Sequence, residues 1–228
     1  MTFTILIIGA YLLGSIPFGL LITKAHGKNL RSIGSGNIGA TNVSRALGRK
    51  WAYLCFLLDV LKGLLPMLAA IPLTRQLPAQ SYGEKIALLW LWLAVGTAAV
   101  LGHIFPIYIK FRGGKGVATS FGVALGLWPY YTICASLAII VWGIFVLIWR
   151  YISLASIAAS VVFPIALISA IALKPSWHFA NLWPLLITAA AIPLIVIGRH
   201  RENIKRLMAG TESKILSLKH TTTDNTGV

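Results

Sequence analysis

Charge is the scarcest property of this sequence. Acidic and basic residues make up 11% of its 228 residues, and only five are Asp or Glu. A soluble domain carries about 25% charged residues, so an ordinary soluble enzyme is excluded. A disordered chain is excluded too, because it would need more charge and less apolar content. There are two cysteines, Cys55 and Cys134, both inside apolar runs. That excludes a disulfide-built secreted module and a thiolate metal site. The polar segments hold neither a pair of carboxylates for acid–base work nor an aspartate cluster for magnesium. This argues against ATP hydrolysis and against CDP-alcohol phosphotransferase chemistry. No metal and no cofactor is expected.

What the chain has instead is apolar length. It is 57% hydrophobic, with a mean hydropathy of +0.82. A bilayer crossing needs about 20 apolar residues, and 3–23, 51–73, 86–104, 152–173 and 179–198 qualify. From Gly116 to Trp149 the chain runs 34 residues without a charge, too long for one span and tight for two. Trp128-Pro129-Tyr130-Tyr131 inside it reads as an interfacial turn. The net charge of +15 decides between the two counts. With two spans there, sixteen basic residues fall on one side, in loops 24–50 and 105–116, at Arg150 and in the tail. The other side then has only Arg75, Lys85 and Lys174. With one span the split is nearly even. The positive-inside rule therefore predicts an all-α bundle of seven spans with a short fourth span, N-terminus outside and C-terminus cytoplasmic. Anionic lipid headgroups account for the basic residues, and no nucleic acid or protein partner is expected. Met1–Thr4 lacks a basic leader region, so the first run is expected to be a retained span. The expected organisation is one membrane domain over 1–212 and a polar cytoplasmic tail over 213–228. Pro66, Pro164 and Pro193 read as packed kinks. Pro17, beside Gly14-Ser15 and Gly19, reads as a break with a purpose.

Three segments interrupt the apolar pattern, and all three fall on the cytoplasmic side: 31–45, 102–119 and 200–212. Each mixes glycine with Arg or Lys and neutral hydrogen-bonding side chains. That composition suits anionic oxygens, because glycine lets backbone N–H groups approach and helix N-termini and cations supply positive potential. In the first, Gly34-x-Gly36-x-x-Gly39 imitates a dinucleotide fingerprint, with Asp59 twenty residues on. The flanking strand that such a site requires is missing. Asp59 lies in a span three residues before Lys62, which predicts an intramembrane ion pair. A helix over 40–50 would carry Thr41, Arg45 and Arg49 on one face, either toward phosphate or toward lipid headgroups. The second segment offers Lys115 within Gly113-Gly114-Lys115-Gly116. This is not a Walker loop, since Ile109 and Gly116 stand where Gly and Ser/Thr belong. It is either a phosphate cradle or a flexible basic loop. The third reads as a helix with His200, Asn203 and Arg206 on one face and Glu202 and Lys205 turned away. His103 reads as a structural hydrogen bonder. His26, His178 and His220 have no clustered partners.

Together these strings resemble the acyl-phosphate-dependent glycerol-3-phosphate acyltransferases of bacteria, the PlsY family. The matching strings are Gly14-Ser-Ile-Pro-Phe-Gly19, Gly34-Ser-Gly-Asn-Ile-Gly-Ala-Thr-Asn42, Gly102-His-x-Phe-Pro106, Phe111-Arg-Gly-Gly-Lys-Gly-Val-Ala-Thr119 and His200-x-x-Asn-Ile-x-Arg-Leu-x-x-Gly-x-Glu212. They cover about 1–212. The resemblance implies acyl transfer from acyl phosphate to the 1-hydroxyl of glycerol 3-phosphate, in the bacterial inner membrane. It implies His200, Ser35 and Asn203 as catalytic residues. It implies Gly36, Asn37, Thr41, Arg45, Arg112, Gly113, Gly114, Lys115 and Gly116 as substrate-binding residues. Whether His200 or a substrate phosphate takes the proton stays open. The rival reading is a transporter or channel for a phosphorylated anion. That would place its polar groups near the midplane, often in repeated halves, whereas here they gather at one face.

Overall fold

The computed structural model describes residues 2–77 and 80–215. Among these residues there is no strand. The helices are α1 (Thr2–Gly14), α2 (Phe18–Ala25), α3 (Ala40–Leu47), α4 (Arg49–Gln76), α5 (Tyr82–Ile104), α6 (Val117–Gly126), α7 (Tyr130–Trp149), α8 (Ile152–Leu173), α9 (Phe179–Gly198) and α10 (Arg201–Met208).

Six stretches among the described residues are long and apolar enough to cross a membrane: Thr2–Ala25, Arg49–Gln76, Tyr82–Ile109, Tyr130–Trp149, Ile152–Leu173 and Phe179–Gly198. The expected seventh is α6, which has ten residues. At 1.5 Å per residue it covers about 15 Å, half the hydrocarbon layer of about 30 Å. Length and composition thus give six full spans and one half-length apolar helix. The first span is two helices, because the chain leaves helical geometry at Ser15–Pro17 and Pro17 brings no N–H to continue the ladder. The helix expected over 40–50 also divides. Gly48 takes φ +90°, which ends α3 at Leu47, and Arg49 opens α4. Arg49 therefore does not share a helix with Thr41 and Arg45.

Small residues let the spans approach closely. A Cβ at Gly63 or Gly122 would collide with the Thr119 or Val60 carbonyl across the α4–α6 contact. Gly14 and Gly102 do the same for α1 and α5, against the Ala99 and Tyr11 carbonyls. Met67, Val95, Ala99, Leu127 and Leu185 fill the interior. The outer surface is also apolar: Leu147 is 80% and Leu173 82% exposed, which requires an apolar surrounding. The Asp59–Lys62 ion pair expected inside a span is present at 2.7 Å. Of the tail expected over 213–228, only 213–215 are described. There the Ile215 N–H donates to the Arg150 carbonyl at 2.8 Å. Lys219 and His220 lie outside the described residues.

Candidate functional site

The first polar loop, 33–39, folds back onto α3. Gly34 and Gly36 adopt φ of +54° and +66°, where a side chain would be strained. One side chain on α3 organises the loop: Asn42, 1% exposed, donates to the Leu30 and Ile33 carbonyls at 3.0 and 2.9 Å and accepts from the Ser35 N–H at 3.2 Å. Asn37 accepts from the Gly39 N–H at 2.9 Å. A Cβ at Gly34 would come within 2.9 Å of Arg45 Cδ, so the loop rests on that arginine. Ser35, Thr41 and Arg45 are exposed.

The second loop, 113–116, hangs from the end of α5. The Gly113 N–H donates to the Ile104 carbonyl at 3.2 Å and the Gly114 N–H to the His103 carbonyl at 3.1 Å. A Cβ on Gly114 would overlap the His103 ring, and one on Gly113 the His103 carbonyl. Gly116, at φ +89°, turns the chain into α6. Arg199 reaches the Gly113 and Gly114 carbonyls from the end of α9, each at 3.4 Å. Arg31 donates to the Arg112 carbonyl at 2.8 Å and ties the two loops together. Arg112 makes this link through its backbone, and its side chain is exposed.

The third segment closes the site. Lys115 Nζ donates to Asn203 Oδ1 at 2.5 Å. Asn203 Nδ2 donates to Glu212 Oε1 at 2.6 Å, and Arg206 Nε to Glu212 Oε2 at 2.7 Å. Ser153, at the start of α8, donates to Glu212 Oε1 at 2.7 Å. Burial would raise the Glu212 pKa, but the hydrogen bonds from Ser153, Asn203 and Arg206 prevail and hold it below the ordinary carboxylate range. Burial lowers Lys115 to about 8, with Arg206, Arg45 and Arg199 adding repulsion and Glu212 opposing. Burial likewise lowers His200 to about 4, helped by Lys115 and opposed by the Val196 carbonyl and Glu212. His200 Nδ1 lies 2.8 Å from the Val196 carbonyl. A carbonyl only accepts, so the proton sits on Nδ1 and the Nε2 lone pair is left for a donor.

The structure therefore brings Lys115, His200, Asn203 and the 113–116 glycines into one cluster, with Arg45 near enough to act on Lys115. Ser35, Asn37 and Thr41 stay with the first loop and exchange no hydrogen bond with that cluster among the described residues. No group of three His, Cys, Asp or Glu placed to hold a metal is found among them either. α3, α6 and α10 all begin without a side-chain cap, so no side chain occupies their first-turn N–H groups. That suits anions. Sequence reading left out Asn42, Ser153 and Arg199 and gave Glu212 no role. For Asn42 the signal was available, since a buried Asn beside three turn glycines needs backbone partners.

The model of the family described as glycerol-3-phosphate acyltransferase matches residues 4–210. The chain belongs to the glycerol-3-phosphate acyltransferase family. A glycerol-3-phosphate acyltransferase of Geotalea daltonii is 48% identical over 92% of this chain and 95% of its own. The one of Aquifex aeolicus is 45% identical over 92% and 97%. The crystal structure of PlsY, an integral membrane glycerol 3-phosphate acyltransferase, in its glycerol 3-phosphate form, superposes with a TM-score of 0.77 at 41% identity, covering 95% of this chain and 96% of that one. Its lysophosphatidic acid form gives 0.74 at 40%. This family member is thus an integral membrane acyltransferase, and the transporter reading is not favoured.

Proposed function

We propose that this chain transfers a fatty acyl group from acyl phosphate to the 1-hydroxyl of sn-glycerol 3-phosphate. The products are 1-acylglycerol 3-phosphate (lysophosphatidic acid) and inorganic phosphate, the first step of phospholipid synthesis. The observation that carries the reading is Lys115, held by Asn203 and ringed by Arg45, Arg199 and Arg206 at one end of an apolar bundle. Two phosphate-bearing substrates need such a cation-rich site. Lys115 and Arg45 hold phosphate; Gly36, Thr41, Arg112 and the 113–116 glycines line it; Ser35, Asn37 and Asn203 orient oxygens. The hydroxyl oxygen attacks the acyl carbon, the bond from that carbon to the phosphate oxygen breaks, and phosphate leaves with the electron pair. The Gly113 and Gly114 N–H groups are taken by α5 carbonyls, so the loop N–H groups that oppose the developing oxyanion charge are those of Lys115 and Gly116.

The proton goes to a substrate phosphate, and His200 orients the hydroxyl. Burial holds His200 below the ordinary histidine range, which disfavours the imidazolium, and the Val196 carbonyl fixes its Nδ1 proton so that Nε2 can accept the hydroxyl's hydrogen bond. If His200 orients, His200→Gln keeps substantial activity and the acid limb of the rate follows phosphate. If it is the base, His200→Gln resembles His200→Ala, at about 10²–10⁴-fold loss. The protein crosses the bacterial inner membrane seven times, with α6 as the short fourth crossing, N-terminus outside and the site on the cytoplasmic face. Residues 1–212 form the catalytic domain and 213–228 its polar tail.

The decisive assay gives the purified protein a long-chain acyl phosphate and glycerol 3-phosphate. Lysophosphatidic acid and phosphate in equal amounts are expected, and no product would overturn the reading. Topology is tested separately. Both native cysteines are buried, so a cysteine placed at Gln80 should be labelled from outside intact cells, and ones at Ser32 and Lys214 should not.

A further inference from the structure

Packed behind the second loop lies a buried set of titratable side chains. Lys62 on α4 is 2% exposed and Asp59 3%. An ion pair at this depth loses its hydration and is a costly way to stabilise a fold. Lys62 Nζ also donates to the Ile16 carbonyl at 3.0 Å and sits 5.6 Å over the Phe18 ring. Ile16 lies in the break between α1 and α2, where its carbonyl accepts the Phe18 N–H at 3.1 Å and takes Lys62 as its second donor. Lys62 thus caps the broken span. Beyond the break, α2 presses Gly19 on the Ile38 carbonyl, where a Cβ would collide. Ile38 belongs to the first loop.

His103 joins the pair from α5. Its Nδ1 lies 3.7 Å from Asp59 Oδ1 and has no hydrogen-bond partner. Its ring lies against Gly114, and its carbonyl holds the Gly114 N–H at 3.1 Å. His103 therefore supports the second loop as Lys62 supports the first, and Asp59 Oδ1 lies 2.7 Å from Lys62 Nζ and 3.7 Å from His103 Nδ1. None of the three exchanges a hydrogen bond with Lys115, His200 or Asn203.

We propose that Asp59, Lys62 and His103 form a positioning unit that fixes the two loops relative to each other. This rests on the reading that both loops bind substrate. Its role is alignment: a displacement of about 1 Å at a reacting centre can cost about 10²-fold in rate.

Two double variants separate positioning from mere charge balance. Asp59→Leu/Lys62→Met removes the charges together with the donor to Ile16. Asp59→Asn/Lys62→Gln removes the same charges and keeps an amide donor. If the pair only balances charge, the two variants behave alike. If it positions the loops, the Leu/Met variant folds but its KM for glycerol 3-phosphate rises about tenfold or more, and the Asn/Gln variant recovers part of that loss. A Leu/Met variant with a KM within about twofold of wild type overturns the proposal, since that is far below the misalignment cost. His103→Gln leaves the ion pair intact and is read in parallel, so the question stays answerable if a double variant fails to fold. Raised KM at unchanged helical content is expected, and an unchanged KM counts against the unit. Amide hydrogen exchange at Gly113 and Gly114 gives a readout without turnover. Faster exchange there, with α9 unaltered, is expected in His103→Gln, and unchanged exchange overturns the proposal. Wild-type turnover is the control for the functional reading: an inactive wild type would sink that reading alone, while exchange still reports on the loops.

Discussion

The two glycine-rich loops face the same end of the molecule but are built in opposite ways. The first is held by a side chain, Asn42, which satisfies two carbonyls and one N–H at once. The second is held by backbone, with two of its N–H groups on the last carbonyls of α5 and glycines that His103 leaves no room to replace. A side-chain staple can be removed by one substitution that leaves the glycines in place. A backbone cradle has no such part, so there the damage comes from adding atoms or from losing the one side chain it presents, Lys115.

The largest effect should therefore follow from Lys115→Ala. Losing a charge-assisted hydrogen bond costs about 1.5–3 kcal/mol, or roughly one to two decades in kcat/KM, and more where the site is dry. Lys115→Arg should rescue poorly, because a broad planar fork does not fit between glycines where a compact ammonium does. Asn42→Ala comes next. It leaves buried carbonyls unsatisfied, at about 1–3 kcal/mol each, and should lower thermal stability as well as raise KM. If Asn42→Ala cost as much activity as Lys115→Ala while the protein stayed as stable, the distinction between staple and cradle would fail.

A smaller effect distinguishes the loops by pH. Lys115 titrates at about 8, well below an ordinary lysine, so its charge is lost as pH rises through 8. Glycerol 3-phosphate affinity measured calorimetrically should weaken above that pH. A Lys115→Arg protein should show no such loss, since guanidinium stays charged. The smallest effect is expected from chelation. EDTA should leave the rate unchanged, because neither loop offers carboxylates to hold a divalent ion. A strict magnesium requirement would mean that a metal, and not Lys115, sets the second loop's charge.

Much of this was legible in the sequence because the signals were local. The long apolar runs, the break at Pro17 and the Asp59–Lys62 spacing need only local pattern to read, while of the face expected for His200, Asn203 and Arg206 only the last two lie on α10, with His200 just before it. What was not legible came from packing between distant elements. Ser153 reaches Glu212 across 59 residues, and Arg199 reaches Gly114 across 85, with no pattern in either neighbourhood to announce it. The expected 40–50 helix failed at Gly48, where a glycine at positive φ overrode the i, i+4 spacing of Thr41, Arg45 and Arg49. The half-length of α6 was anticipated only as a span that had to be short.

That half-length has a consequence for traffic. α6 begins where Thr119 meets Gly63, midway along the 28 residues of α4, about 20 Å from Arg49 at 1.5 Å per residue. α4 thus extends about four turns beyond the level of Thr119 on the side where Gly113–Gly116 lies. On the proposed reaction, the fatty tails of donor and product would never leave the hydrocarbon. They would slide in and out sideways between helices, and only glycerol 3-phosphate and inorganic phosphate would commute to water. Exchange of the lipid partners would then be governed by the fluidity of the surrounding bilayer, and exchange of the other two by diffusion in water.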